Sequence, residues 1–122
     1  MTKLDDLADA IYTNAAAKLE AHTARVNRIK AQINALAEKK VARTHESVRL
    51  TYWGEVEFLW HQWIDTKIEA LNIELARELA KRPQVIQQAK KGFGRMQSLK
   101  NFSRKKIAQE EILLSRRKSY ES

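Results

Sequence analysis

The chain has no cysteine, one proline (Pro83) and three glycines (Gly54, Gly92, Gly94) among its 122 residues. The missing cysteines remove disulfides, thiolate metal sites and cysteine nucleophiles together, and fit a reducing compartment. Sheet proteins need turn residues about every 8–12 positions, and these are too scarce here. No apolar run approaches the ~18 residues a spanning helix requires, so no integral membrane segment is expected. The opening run Met1-Thr2-Lys3-Leu4-Asp5-Asp6 holds two acids and no apolar core, and reads as neither a secretory signal nor a transit peptide. What remains is a soluble, basic, all-α chain, short enough for a single helical domain over 1–122.

Charge is unevenly spread. The formal net charge is +8, made up of +3 over 1–50, −2 over 51–82 and +7 over 83–122. The excess therefore lies in the last third, and this asymmetry is more informative than the total.

Apolar spacing points to long amphipathic helices. Thr2-Lys3-Leu4-Asp5 has the pattern of an acidic capping box, so the first helix should start at Thr2. Leu4, Leu7, Ile11, Ala15, Leu19, His22, Val26, Ile29, Ile33 and Leu36 then follow at steps of three and four. Such a narrow stripe suits a coiled-coil seam. Lys18, Arg25, Arg28, Lys30, Lys39 and Lys40 are expected on the opposite face. The pattern weakens toward Gly54, which places a turn at about 43–54. A return arm follows, with Val56, Trp60, Ile64, Ile68, Leu71, Leu75 and Leu79 at the same steps. Pro83 should kink or break it, or open a new helix. Ile86, Ala89, Phe93 and Met96 resume the stripe. Gly92 and Gly94 soften this stretch or allow a close helix approach, and beyond Ile107 the end should fray.

The fold expected is an antiparallel two-helix coiled-coil hairpin. Its first arm covers about 2–43, its turn about 43–54 and its return arm about 55–118, with a kink or break near 83. A three-helix bundle, folded at Pro83 as well, is the alternative. The wide aromatic stripe at 52–63 supports the bundle and the narrow first seam supports the hairpin.

Catalytic chemistry finds little footing. His22, His45 and His61 include no pair at the i, i+4 spacing of a helical metal site. Glu55 and Glu57, and Glu110 and Glu111, do not face each other on a helix. Glu74 and Glu78 share a face, and a solvated face is the default for charges so spaced. No phosphate-binding loop or nucleophile elbow occurs. The chain is therefore expected to be no enzyme and to hold no metal or cofactor.

Two surfaces remain as binding candidates. Tyr52, Trp53, Phe58, Trp60 and Trp63 form an aromatic cluster. It reads either as a hydrophobic lock beside the turn or as a partner hot spot built on Trp53, Trp60 and Trp63. Lys90, Lys91, Arg95, Lys100, Arg104, Lys105 and Lys106, followed by Arg116, Arg117 and Lys118, form a basic face. It reads either as a solvated surface or as the footprint of an acidic partner or nucleic acid. Phe93 and Phe102 both fall on the apolar stripe and should not serve as a stacking platform.

The pattern resembles a known family. Three stretches carry it: Arg25-Val26-Asn27-Arg28-Ile29 leading to Ile33 and Leu36; Tyr52-Trp53-Gly54-Glu55-Val56-Glu57-Phe58-Leu59-Trp60 followed by Ile68-Glu69-Ala70-Leu71; and Val85-Ile86-Gln87-Gln88-Ala89 leading through Arg95-Met96-Gln97-Ser98-Leu99 to Arg104-Lys105-Lys106. Together they look like the central-stalk proteins of the type III (flagellar) export ATPase, the FliJ/YscO-like coiled-coil family. The resemblance implies a non-enzymatic rod that enters a hexameric export ATPase ring. It also implies contact with an export-gate protein and with export chaperones. It implies a cytoplasmic protein that reaches the inner membrane face through its partners. The ring contact is placed at Arg116, Arg117 and Lys118 with Lys3, on their location and charge. A basic helical nucleic-acid-binding protein is the alternative, motivated by the +7 of residues 83–122.

Overall fold

The computed structural model describes residues 3–49 and 54–121, with side chains described over 3–46 and 54–121. It is all-α: α1 spans Lys3–Arg49, α2 Glu55–Ala80 and α3 Arg82–Glu121, with no strand among the described residues. Asp5 and Asp6 occupy the first turn of α1, where the helix dipole favours negative charge. Thr2, expected to cap that helix, lies outside the described residues. So do Tyr52, Trp53 and the rest of 50–53, whereas α1 runs on to Arg49, past the end expected at about 43. Gly54 caps the start of α2 with extended backbone (φ −94°, ψ 177°), and its carbonyl accepts the Phe58 N–H at 3.1 Å. The chain divides into two compact units, Ala21–Pro83 and Met1–Glu20 with Gln84–Ser122.

Within Ala21–Pro83, α1 and α2 run antiparallel. Arg43 meets Glu57, Lys40 meets Asp65, and His22 meets Glu78, so one number falls as the other rises. Val26, Ile29 and Ile64 are its buried apolar residues, joined by buried His22, His61 and Glu78. Ile33, Leu36, Ile68, Leu71 and Leu75 lie half-buried along the same seam. Complete burial of a side chain like that of Ile64 stabilises by roughly 1.5–3 kcal/mol. Val56, placed in the seam by its spacing, is exposed instead. Glu57 takes the seam-side position and is held there by Arg43.

Within Met1–Glu20 and Gln84–Ser122, α1 and α3 also run antiparallel. Tyr12 stacks on Phe93 with centroids 5.4 Å apart, and Lys100 Nζ bonds Asp9 Oδ1 at 3.3 Å. The buried residues are all small: Ala8, Ala15, Ala89 and Ser103. Gly92 explains why. A Cβ added there would stand 2.7 Å from the Cβ of Ala15, so the helices approach too closely for larger side chains. This corrects the seam read from the sequence. Ala8 is buried, while Leu7 is 50% exposed. The helix is unbroken through Gly92 and Gly94.

The proline acts at the helix joint. Lys81 keeps helical dihedrals (φ −80°, ψ −16°), and its N–H bonds the Glu78 and Leu79 carbonyls. Pro83 then sits inside the first turn of α3, where a missing N–H costs least. At its far end α3 stays helical to Glu121 instead of fraying beyond Ile107, and every residue from 104 to 121 is exposed.

Candidate functional site

A polar cluster lies in the seam of Ala21–Pro83. His22 is 1% exposed and Glu78 8% exposed. Glu78 Oε1 accepts from Arg25 Nε at 2.9 Å and lies 3.1 Å from His22 Nδ1, and Oε2 accepts from Lys81 Nζ at 3.3 Å. The Arg25 hydrogen bond lowers the Glu78 carboxyl to about 2, against the opposition of burial and with the help of His22 and Lys81. The carboxylate is therefore ionised at neutral pH and can only accept. It follows that Nδ1 of His22 carries the shared proton. His22 Nε2 is buried with no hydrogen-bond partner.

Glu78 was expected on a solvated face, and this is the residue that sequence reading missed. A step of three from Leu75 falls on Glu78, whereas the seam was traced by a step of four to Leu79. The seam histidine across from it was the available signal.

The aromatic cluster separates into different environments. Trp60 is half-buried, with the Arg43 guanidinium 4.3 Å from its ring centre and His61 edge-on at 5.0 Å. Arg43 also donates to both oxygens of Glu57, Nη2 to Oε1 at 2.7 Å and Nε to Oε2 at 2.9 Å. Those bonds raise the Arg43 pKa further above its ordinary value. Trp63 is 53% exposed beneath Lys67, and Phe58, Val56 and Leu59 are exposed too. Trp53 lies outside the described residues. Trp60 thus belongs to the packed seam, while Trp63 faces outward with Val56 and Leu59 at helical spacing.

The basic residues are also sorted by their partners. Lys100 is bound to Asp9. Lys3 and Lys106 line one small cleft with Leu4, Ser103, Ile107 and Glu110. Lys90, Arg104 and Lys105 are exposed on α3. Lys91 and Arg95 flank a second cleft, which also takes in Lys18 of α1, a residue expected on the opposite face. Arg116, Arg117 and Lys118 are exposed among exposed Ile112, Leu113 and Leu114. Phe102 is 59% exposed and Tyr120 91% exposed. Phe102 therefore lies off the buried seam, contrary to the sequence reading, whereas Phe93 packs on Tyr12.

Comparison with protein-family models, curated proteins and solved structures returns no significant match. Among the described residues, no group of three or more His, Cys, Asp or Glu is placed to hold a metal ion. No helix among them is long and apolar enough to cross a membrane.

Proposed function

We propose that this chain is a non-enzymatic coiled-coil stalk or adaptor of a type III (flagellar) protein export apparatus. On this reading α1 and the α2–α3 arm form an antiparallel coiled-coil hairpin. Its basic segment binds an export ATPase ring and couples it to an export-gate protein. One observation carries the reading. Residues 104–121 of α3 stay helical although each of them is exposed, with Arg116, Arg117 and Lys118 following exposed Ile112, Leu113 and Leu114. Exposed apolar side chains next to exposed cations suit a protein partner that is apolar and acidic at its contact.

The test mixes the chain with an isolated export ATPase. The expected result is association at micromolar protein with a change in hexamerisation or turnover. Replacing Arg116, Arg117 and Lys118 together by Glu should abolish it at unchanged helical content. No effect of the parent chain at micromolar protein sinks the reading.

A nucleic-acid-binding role is the second reading, favoured by one feature. Phe102 and Tyr120 are exposed on the helix that carries the cations, and exposed rings can stack on unpaired bases. Phosphate neutralisation then requires affinity to fall steeply with salt. Absence of binding at ~50 mM salt, or flat salt dependence, removes it.

A further inference from the structure

Five cations are held by carboxylates. Arg25 and Lys81 share Glu78, Lys40 has Asp65, Arg43 has Glu57 and Lys100 has Asp9. Lys18, Lys91 and Arg95 form no ion pair among the described residues, and they converge on one cleft of about 300 Å³ between α1 and α3. No acid lines that cleft. Its other polar groups are the amides of Asn14 and Gln88, and Ala15 and Gly92 form part of its wall. All of these residues lie within the unit made of Met1–Glu20 and Gln84–Ser122.

The concavity follows from the glycine. Close approach of the helices at Gly92 and Ala15 leaves small residues in the middle and longer side chains around them. Lys91 and Arg95 are one turn apart on α3, a spacing at which like charges repel. Lys18 adds a third positive charge from α1. An anion seated among the three would relieve that repulsion. The Arg95 fork can grip two phosphate oxygens, the lysines act as point charges, and the two amides offer further N–H donors.

The cations are spread along two helices and so suit linked phosphates better than a single one. No aromatic ring lines the cleft to stack a base, because Tyr12 and Phe93 pack on each other. We infer that this cleft binds a diphosphate group, as free pyrophosphate or as the diphosphate of a nucleotide. The inference does not depend on the stalk reading.

The experiment titrates the full chain with pyrophosphate, ADP, AMP and sulfate at matched ionic strength, following backbone amide shifts and melting temperature. Saturable shifts confined to 11–18 and 88–95 are expected with pyrophosphate and ADP, and much weaker ones with AMP and sulfate. Equal affinity for pyrophosphate and ADP would identify the free diphosphate as sufficient, and tighter ADP binding would identify the nucleotide. Lys91→Gln and Arg95→Gln, both at exposed positions, should each weaken binding roughly tenfold while leaving the ligand-free melting temperature unchanged. Lys105→Gln, on α3 but outside the cleft, should not weaken it. Equal shifts with sulfate, or equal loss from Lys105→Gln, would overturn the inference.

Discussion

Glu78 Oε1 lies 3.1 Å from His22 Nδ1, which joins two buried polar residues across the seam between α2 and α1. Glu78 titrates near 2 in the folded chain, against an ordinary value of 4.5. The unfolded chain therefore takes up this proton first as pH falls. The stability that Glu78 contributes is complete above about pH 4.5, shrinks below it, and is lost by about pH 2. Glu78→Gln should flatten the acid limb of a stability–pH curve measured by urea unfolding. A limb as steep as that of the parent chain would mean that other carboxyls set it.

The two glycines of α3 should respond in opposite directions to alanine. At Gly92 the new methyl meets Ala15 at 2.7 Å, and neither partner has a flexible end to move. Overpacking there should cost about 1–3 kcal/mol. Gly94 has nothing within 4 Å of the same added atom. Gly94→Ala should stabilise by about 0.5–1 kcal/mol through helix propensity alone. Thermal melting of the two variants checks both signs.

Two tryptophans three residues apart should divide into one structural and one surface residue. Trp60→Ala removes a half-buried ring that supports Arg43, and should destabilise by about 2 kcal/mol or more. Trp63 is mostly exposed, and Trp63→Ala should change stability by less than about 0.5 kcal/mol. Should Trp63→Ala instead lower the melting point as far as Trp60→Ala, the outward placement of Trp63 is wrong.

Ile64 is completely buried, and Ile64→Ala should cost about 2–5 kcal/mol. Ile112→Ala, in the exposed stretch of α3, should leave the melting point nearly unchanged. Differential scanning calorimetry on the pair measures the contrast.

The helical content was legible because it rests on what is local: few glycines, one proline and a period of three and four. The seam at Val26, Ile29 and Ile64 was legible for the same reason, since its residues are large and apolar. Other positions depended on the partner helix. Ala8 is buried where Leu7 was expected, and the Gly92–Ala15 approach is set by the partner helix, a distance no single-helix periodicity contains. Glu78 is buried because Arg25, His22 and Lys81 surround it, three residues that the helix pairing and the joint bring together. The cleft lined by Lys18, Lys91 and Arg95 escaped notice for the same reason, because Lys18 lies on a different helix from the other two. Candidate cations were easy to count in the sequence, but which of them are neutralised is a property of the fold.

The small residues buried between α1 and α3 have a kinetic consequence. Alanine and serine remove little apolar surface from water, so local opening there works against a weaker restoring force than at Val26, Ile29 and Ile64. Amide protons near Ala8, Ala15, Ala89 and Ser103 should accordingly exchange with deuterium well before those near Ile29 and Ile64. The chain would then loosen in a fixed order, with the Met1–Glu20 and Gln84–Ser122 unit opening while Ala21–Pro83 still holds.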